Sequence, residues 1–344
     1  MPLTKNIRLR AYFRPYFISM QRIANYTSFF NDYLNQNNYL KNEPQTLHKP
    51  IEYLLGLGGK RFRPALVLLS ADLYDLPLEK ALDAAMAVEV FHNFSLMHDD
   101  IMDEAPLRRQ KETVHKKWDI NTAILSGDAM LIWAYQCFES YDETLFYNLM
   151  KLFSKTAKEV CDGQQYDMDF ENREDVKISE YIEMIRLKTA VLVGCAFQMG
   201  GILAKATPED QKKLYEFGEN LGLAFQIQDD FLDAYGDPKT FGKQVGGDII
   251  ENKKTFLYLK ALELSTENDK NQLKHLFSIQ PKNTKAKIET VKQLFNNYDI
   301  KTICSKKIEH YTNRALSAVE GLNLNTKKKH ILSVFAEELM HRSI

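Results

Sequence analysis

The sequence predicts an all-α protein, a large helical bundle around a central cavity, and two observations carry that expectation. The first is spacing: apolar residues recur every three or four positions, as they do along 82–97. The second is proline: none of the ten prolines lies from Leu107 to Thr207, which favours long helices there. No alternating segments joined by Asn-Gly or Asp-Gly turns are found, so the sequence predicts neither hairpins nor a sheet.

Each helix is predicted from its apolar spacing and is delimited by proline, glycine or a polar break. Several of the longer segments are apolar on nearly every face, which is typical of central helices in a large bundle. In chain order the predicted helices are 20–37, 46–56, 61–74, 78–104, 119–141, 144–171, 178–204, 208–235, 252–264, 268–277, 284–297, 299–319 and 326–341.

Composition sets the broad class. The 344 residues are 44% hydrophobic and 26% charged, which are ordinary values for a globular protein and exclude a disordered chain. We expect one all-α domain over residues 20–344, preceded by an amino-terminal extension at 1–19 that is flexible and dispensable. The extension is basic and aromatic but carries no apolar segment with a cleavage site, so a secretory signal is not expected.

Charge, cysteine and hydropathy exclude further classes. The net charge of −1 argues against a nucleic-acid partner, which usually requires a basic excess. The four cysteines are widely spaced without a CxxC pair, which favours reduced thiols and a cytoplasmic location. No uninterrupted apolar run reaches about 18 residues, so stable membrane insertion is not expected.

Two acidic clusters share the pattern DDxxD, and each ends a strongly apolar helix. They comprise Asp99, Asp100 and Asp103 in the first cluster and Asp229, Asp230 and Asp233 in the second. Residues four apart share a helix face about 5–6 Å from each other, so each cluster presents carboxylates that repel one another without a cation. Such oxygen ligands suit Mg²⁺, which typically takes one or two carboxylates with water and phosphate oxygens. A solvated helix end explains one copy equally well, but two copies favour a metal site.

Basic residues supply the matching anion site. The segment GGKRFRP at 58–64 places cations after a glycine turn, where backbone N–H groups can approach an anion. Arg108 and Arg109 follow the first acidic cluster, and arginine forks bind phosphate bidentately. His92 lies about two helical turns before Asp99 and is a candidate hydrogen-bond partner for phosphate. Metal, cations and apolar helices together fit ionisation of an allylic diphosphate, whose carbocation must be kept from water.

On these motifs the sequence resembles the trans-isoprenyl diphosphate synthases, or polyprenyl synthetases, of the short-chain farnesyl and geranylgeranyl type. The resemblance spans about Leu47 to Lys260, and the motifs stand in family order. They are GGKRFRP at 58–64, FHNFSLMHDDIMDEAPLRR at 91–109, GQQYD at 163–167, KT at 188–189, FQIQDDFLD at 225–233 and GKQVGGD at 242–248. One departure is Gln110, where the family commonly has glycine after the paired arginines.

The resemblance implies a role for each matching residue. Mg²⁺ would be held by Asp99 and Asp103 with Asp100 in support, and at the second motif by Asp229 and Asp230, with Asp233 acting through water. Isopentenyl diphosphate would be bound by Gly59, Lys60, Arg63, His92 and Arg109. The allylic diphosphate would be bound by Arg108, Lys188, Lys243 and Lys253, with Gln164 lining the site. Thr189 and Gln226, beside Lys188, would stabilise the nascent cation.

The resemblance also implies the reaction and the partners. The enzyme would condense isopentenyl diphosphate head-to-tail with dimethylallyl, geranyl or farnesyl diphosphate, as a homodimer. The implied cofactor is Mg²⁺, about three ions bound together with the substrate diphosphate. The favoured product is C20 geranylgeranyl diphosphate, with C15 farnesyl diphosphate next. The reason is one aromatic residue, Phe94, five positions before the first acidic motif, with the small Ser95 beside it.

Four alternatives remain open at this stage. A longer-chain polyprenyl diphosphate synthase shares the same motifs. A di-iron carboxylate bundle would use ExxH elements, of which Glu89 to His92, Glu112 to His115 and Glu338 to His341 are examples. A terpene cyclase shares metal-triggered ionisation but needs no isopentenyl diphosphate site. A non-enzymatic helical subunit would be expected to lack an acidic motif or the paired arginines.

Overall fold

The computed structural model describes residues 5–37, 39–236 and 245–340, without the side chains of residues 5–20. Its first part contains α1 (Lys5–Gln36), α2 (Gln45–Gly56), α3 (Phe62–Leu73), α4 (Leu82–Met102), β1 (Leu107–Arg108), β2 (Lys111–Glu112), α5 (Val114–Lys117) and α6 (Ile120–Gln136). Single turns of 3-10 helix lie at Tyr39–Lys41 and Leu78–Ala81.

The chain continues as helices. They are α7 (Glu143–Asn172), α8 (Ile178–Ile185), a π-helical turn (Arg186–Ala190), α9 (Val191–Leu203), α10 (Pro208–Tyr235), α11 (Gly247–Ile250), α12 (Phe256–Leu264), α13 (Glu267–Leu276), α14 (Thr284–Asn297), α15 (Ile300–Glu320) and α16 (Thr326–Met340). The all-α class is confirmed, because the described strands amount to one ribbon of two residues on each side.

Three predicted elements need correction. The first helix begins at Lys5 instead of residue 20 and therefore includes most of the predicted amino-terminal extension. The predicted helix 178–204 is interrupted by the π-helical turn, and 78–104 opens with a 3-10 turn before α4. The expectation of no hairpin was wrong, since β1 pairs with β2 antiparallel.

The chain divides into two compact units. Unit 1 is Met1–Ala157 with Cys195–Leu214, and unit 2 is Lys158–Gly194 with Tyr215–Ile344. The single domain expected over residues 20–344 stays a prediction.

Aromatic side chains fill the core of unit 1. The buried ring of Phe153 on α7 packs edge-on against Phe91 of α4 at 5.2 Å and against Phe138 at 5.1 Å between ring centroids. Tyr39 stacks on Trp133 of α6 with ring centroids 4.2 Å apart. The contact between Phe153 and Phe91 packs α7 against α4, the helix that ends in the first acidic motif.

Close helix packing in unit 2 depends on glycine. A Cβ on Gly222 would lie 2.7 Å from the Cα of Ala190, and one on Gly218 would lie 2.7 Å from the carbonyl oxygen of Val193. Helix α10 therefore approaches the π-helical turn and the start of α9 more closely than larger residues would permit.

One described helical stretch, Ile178–Leu203, is long and apolar enough to cross a bilayer, with a mean hydropathy of 1.2. The most apolar part of that stretch is 78% buried inside the fold, which is typical of a core helix.

Candidate active site

The first acidic motif lies at the carboxyl end of α4. Asp99 and Asp100 occupy its last turn, and Asp103 caps the helix by donating its backbone N–H to the carbonyl of Asp99 at 2.9 Å. Asp100 is 2% exposed, whereas Asp103 is exposed. The three carboxylates thus lie on one helix end, as the sequence predicts.

Asp100 is bound by Arg108. The guanidinium group donates from Nε to both carboxylate oxygens at 2.8 and 2.9 Å, and from Nη2 to Oδ1 at 2.7 Å. The same Nη2 lies 3.9 Å from Asp99 Oδ2. Asp100 therefore anchors the arginine, which supports the subsidiary role expected for this carboxylate.

A hairpin places Arg108 beside the carboxyl end of α4. The pairing of Arg108 with Lys111 closes a two-residue loop, Arg109-Gln110, in which both residues have positive φ values of 52° and 64°. These angles define a type I′ turn, which normally takes asparagine or glycine. Because neither residue is one of those, this hairpin has no signal at the level of sequence. The positive φ at Gln110 also explains why glycine suits this position.

The segment GGKRFRP forms a strained turn before α3. Gly58 and Gly59 have φ values of 80° and 128°, and Arg61 is left-handed at 44°. Arg61 points inward and donates to Glu89 of α4 at 2.5 Å, with both side chains 4% exposed. Asn93 donates to the same Glu89 oxygen at 3.0 Å. This buried network fixes the turn, so Arg61 is structural and unavailable to a substrate.

Four cationic or imidazole groups of the predicted isopentenyl diphosphate site belong to this same turn region. Arg63 donates from Nη1 to His92 Nε2 at 3.1 Å. A Cβ on Gly59 would lie 2.6 Å from Arg109 Nη2, so the glycine gives the guanidinium room to lie against the backbone. Lys60 is exposed in the turn. Cations gathered in this way are suited to an anion.

His92 is neutral in this setting. Burial, and after it the positive charge of Arg63 and Arg109, holds the pKa of His92 well below its ordinary value. A neutral ring that accepts from Arg63 at Nε2 carries its proton on Nδ1. His92 therefore orients Arg63, in addition to any contact with a ligand.

The second acidic motif lies near the end of α10. Asp230 is 7% exposed and accepts hydrogen bonds from the phenol of Tyr181 and, at 3.4 Å, from Gln226 Nε2. Asp233 accepts from the backbone N–H groups of Gly247 at 3.1 Å and Asp248 at 3.0 Å, at the start of α11. These four donors carry no charge.

The electrostatics of this motif favour a cation. Burial raises the pKa of Asp230 well above its ordinary value, and the nearby carboxylates of Asp248 and Asp229 raise it further. Burial and Asp230 likewise raise the pKa of the Tyr181 phenol, which therefore stays protonated and donates. A cation would relieve this accumulation of negative charge.

The π-helical turn carries two predicted catalytic residues. Lys188 donates to Asp167 of α7 at 2.5 Å, and the hydroxyl of Thr189 donates to Gln226 Oε1 at 3.3 Å. A Cβ on Gly163 would collide with the backbone of Lys188, so this glycine admits the turn against α7. Such π-helical turns frequently occur at functional sites.

The remaining predicted ligands differ in their surroundings. Lys253 pairs with Glu251 at 2.8 Å and lies 3.9 Å from Asp248. Gln164 is half-buried on α7, next to Gly163. Lys243 lies outside the described residues.

Comparison with known proteins identifies the family. The model of the polyprenyl synthetase family matches residues 44–296. This chain belongs to the polyprenyl synthetase family. The chain is 43% identical over 254 residues to the geranylgeranyl diphosphate synthase of Saccharolobus solfataricus, which covers 71% of this chain and 76% of that protein.

Two further proteins are similar to this chain. The geranylfarnesyl diphosphate synthase of Natronomonas pharaonis is 40% identical over 237 residues, covering 64% of this chain and 70% of that protein. A solved geranylgeranyl pyrophosphate synthase is 51% identical with a TM-score of 0.88, and the match covers 94% of this chain and 99% of that one. The predicted family and fold are therefore confirmed.

Polyprenyl synthetases are associated with divalent metal, and the donor set of this chain fits Mg²⁺. Each acidic motif offers carboxylate oxygens on a helix end, and the second gathers repelling carboxylates around Asp230. Within the described ranges, His, Cys, Asp and Glu side chains form no group of three arranged for a metal. Mg²⁺ does not require one, because it typically uses one or two carboxylates with water and substrate phosphate oxygens.

Three partner residues in this polyprenyl synthetase were missed by sequence reasoning. Glu89 binds Arg61, Asp167 binds Lys188, and Tyr181 binds Asp230. Asp167 had a signal, since it ends the GQQYD motif. Tyr181 had none, because it has the spacing of an ordinary apolar residue.

The predicted chain-length residues lie one turn before the first motif. Phe94 is 8% exposed, with its ring 4.8 Å from that of His98 and 5.5 Å from that of Phe91. Ser95 is half-buried and donates to the carbonyl of His92 at 2.8 Å. Phe94 is thus a buried ring five positions before Asp99, where the sequence predicts a residue that limits product length.

Proposed function

We propose that this chain is a Mg²⁺-dependent trans-prenyltransferase that condenses isopentenyl diphosphate head-to-tail with an allylic diphosphate. The favoured product is C20 geranylgeranyl diphosphate. The observation that carries the proposal is the likeness to a solved geranylgeranyl pyrophosphate synthase over nearly the whole chain. The anion site around Arg63, His92 and Arg109 supports it, because a second diphosphate needs such a site.

Isopentenyl diphosphate is bound in this proposal by the turn before α3. Two arginines donate to its phosphate oxygens: Arg63, which His92 orients, and Arg109, which lies against Gly59. Lys60 lies in the same turn and is proposed to bind the same diphosphate. The allylic diphosphate is bound by Arg108, Lys188, Lys243 and Lys253, with Gln164 beside it. Asp99 and Asp103 of the first motif and Asp229 of the second are the proposed Mg²⁺ ligands, with Asp233 acting through water.

The reaction begins when the allylic carbon–oxygen bond breaks and the diphosphate leaves with the electron pair. Bound Mg²⁺ supplies charge neutralisation to the leaving group. Thr189 and Gln226 direct oxygen dipoles at the allylic cation, and surrounding apolar helices exclude water. The double bond of isopentenyl diphosphate then attacks the cation, and the released diphosphate takes the proton that is lost. The chain therefore needs no side-chain base for this step.

Product analysis tests the proposed function directly. The purified protein is incubated with Mg²⁺, isopentenyl diphosphate and each of the C5, C10 and C15 allylic primers. We expect geranylgeranyl diphosphate from each primer and no product in excess chelator. Products of C30 or longer would indicate a longer-chain synthase, and a hydrocarbon formed without isopentenyl diphosphate would indicate a cyclase.

Product length is proposed to depend on Phe94. The growing tail runs along α4 below Asp99, and a bulky ring there blocks it because tight cavities tolerate little added volume. Phe94→Ala is expected to lengthen the product, and Ser95→Phe to shorten it towards C15. Chromatography that shows an unchanged product for Phe94→Ala would place the floor elsewhere.

The di-iron alternative is weakened by Glu89. This carboxylate is buried and bound by Arg61 and Asn93, which leaves it poorly suited to ligate iron. Glu112 lies in β2 and is exposed. Bound iron in the purified protein would revive this alternative.

A homodimer is the proposed assembly, and α6 supports it. Leu125 and Ile132 on this helix are 60% and 59% exposed, and Ile124 is 41% exposed. Such an apolar face favours association with a second copy. Sedimentation of Leu125→Glu tests this, since the charged variant should shift towards monomer. We also propose a cytoplasmic location, because all four cysteines are free thiols.

A further inference from the structure

A buried tyrosine outside the family motifs is hydrogen-bonded to the second acidic motif. The phenol of Tyr181, on α8, donates to Asp230 Oδ2, and the two residues are 3% and 7% exposed. A hydroxyl buried to this extent is costly unless it is paired, so the contact is a fixed part of the site. The role of this tyrosine is a question that the motif residues leave open.

Asp230 is held on both of its oxygens. Tyr181 donates to Oδ2 and Gln226 Nε2 lies 3.4 Å from Oδ1. Asp230 and Gln226 are one helical turn apart on α10, whereas Tyr181 approaches from α8. The phenol is therefore the long-range contact that fixes this carboxylate, and the amide contact follows from helical spacing.

The two ends of the Gln226 amide have different partners. Its nitrogen donates to Asp230, while its oxygen accepts from the hydroxyl of Thr189 at 3.3 Å. A flipped amide would direct its oxygen at the carboxylate and its nitrogen at the Thr189 hydroxyl. Asp230 therefore selects the orientation in which the amide oxygen faces Thr189.

We propose that Tyr181 is a positioning residue for the condensation: its phenol holds Asp230, and Asp230 in turn holds the Gln226 amide with its oxygen towards Thr189. This inference rests on the proposed function, in which Thr189 and Gln226 stabilise the allylic cation. Loss of the phenol frees Asp230 to rotate and Gln226 to flip. An amide nitrogen in place of the oxygen would present positive partial charge to the cation and slow its formation.

The test is Tyr181→Phe, which removes one oxygen atom and keeps the ring. The matched control is Tyr258→Phe, another buried tyrosine of unit 2, whose ring stacks on Phe277 at 4.0 Å. Single-turnover condensation, KM for both substrates, and calorimetric binding of inorganic diphosphate with Mg²⁺ are measured for both variants. Thermal unfolding establishes that each variant is folded.

We expect Tyr181→Phe to lower the single-turnover rate about tenfold or more, while KM and diphosphate affinity stay within about threefold of wild type. Tyr258→Phe should retain the wild-type rate. In a Gln226→Ala background, Tyr181→Phe should lower the rate no further, because the amide it positions is gone.

Three results would overturn the inference: an unchanged single-turnover rate in Tyr181→Phe, a diphosphate affinity weakened tenfold or more, or an undiminished effect in the Gln226→Ala background. The second would show that the tyrosine supports the metal-binding carboxylates instead. Failure of the wild-type protein to form any prenyl diphosphate would contradict the proposed function itself, and is therefore distinguishable from each of these.

Discussion

The middle aspartates of the two DDxxD motifs occupy the same place in the pattern but have opposite electrostatic surroundings. Asp100 is paired with a cation, since Arg108 donates to both of its oxygens. Among the residues that the structure describes, Asp230 accepts from the neutral donors Tyr181 and Gln226 and is repelled by Asp248. Arg108 offsets part of the buried charge of the first motif, although burial still raises the pKa of Asp100. At the second motif, neighbouring carboxylates add to burial in raising the pKa of Asp230.

The difference shows that one sequence motif can perform two structural tasks. At the first motif the middle carboxylate anchors an arginine, and at the second it orients an amide. In both motifs the middle aspartate is the most buried of the three, which leaves the outer positions to the metal. The following predictions test how far this contrast extends.

The largest effect is expected from the outer aspartates. Asp99→Ala and Asp229→Ala should each lower turnover by orders of magnitude, because each removes a proposed oxygen ligand of the ion that neutralises the leaving group. The measurement is initial rate over a range of Mg²⁺ concentrations, with circular dichroism to check the fold. Asp32→Ala is the control, since Asp32 is exposed on α1. Near-wild-type turnover of either variant would contradict the metal assignment.

Much of this fold was predictable because helical periodicity and proline are local signals. The predicted ranges of α10 and α14 match the structure at both ends. The hairpin was missed because Arg109 and Gln110 adopt a type I′ turn without asparagine or glycine. The start of α1 was missed because apolar spacing is poor before residue 20, and the π-helical turn has no sequence signature.

The candidate site residues were predictable where they belong to motifs of charged residues. Its supporting contacts were not, because they join residues far apart in the chain. Lys188 and Asp167 are separated by 21 positions, and Tyr181 and Asp230 by 49. The contact between Tyr181 and Asp230 arises from tertiary packing. In the sequence, Tyr181 has the three- or four-residue spacing of any apolar residue on an amphipathic helix.

Replacing each middle aspartate by asparagine should change the free energy of unfolding differently at the two motifs. Asp100→Asn leaves Arg108 with only the 3.9 Å contact to Asp99 and is expected to lower the free energy of unfolding by about 1–3 kcal/mol. Asp230→Asn removes a charge that Asp248 repels and still accepts from Tyr181, so its stability should equal or exceed wild type. Urea unfolding checks both variants. Equal destabilisation by the two substitutions would remove the contrast.

Acid should destabilise the anion site through His92. Burial and the neighbouring arginines lower the pKa of His92 in the folded protein. At a pH below the ordinary pKa of histidine, the unfolded state therefore binds more protons than the folded state. The stabilising contribution is complete above about pH 6.5 and is lost as the pH falls, at up to about 1.4 kcal/mol per pH unit. Unfolding free energies between pH 7 and 5 should therefore fall less steeply in His92→Gln than in wild type. Parallel slopes would mean that folding does not lower the pKa of His92.

The smallest effect concerns the hairpin that carries Arg108 back to Asp100. Gln110 has a φ of 64°, a conformation that costs a side-chain-bearing residue about 1 kcal/mol and glycine almost nothing. Gln110→Gly should therefore raise the free energy of unfolding by about 0.5–1 kcal/mol, offset in part by the greater flexibility of glycine in the unfolded chain. Lys111→Gly is the control, because Lys111 lies in β2, where glycine only weakens the strand. If the hairpin serves to hold Arg108, Gln110→Gly should leave KM for the allylic substrate unchanged while Lys111→Gly raises it. A gain in stability from both glycines would show that the loop, and not the turn conformation at Gln110, is the source of strain.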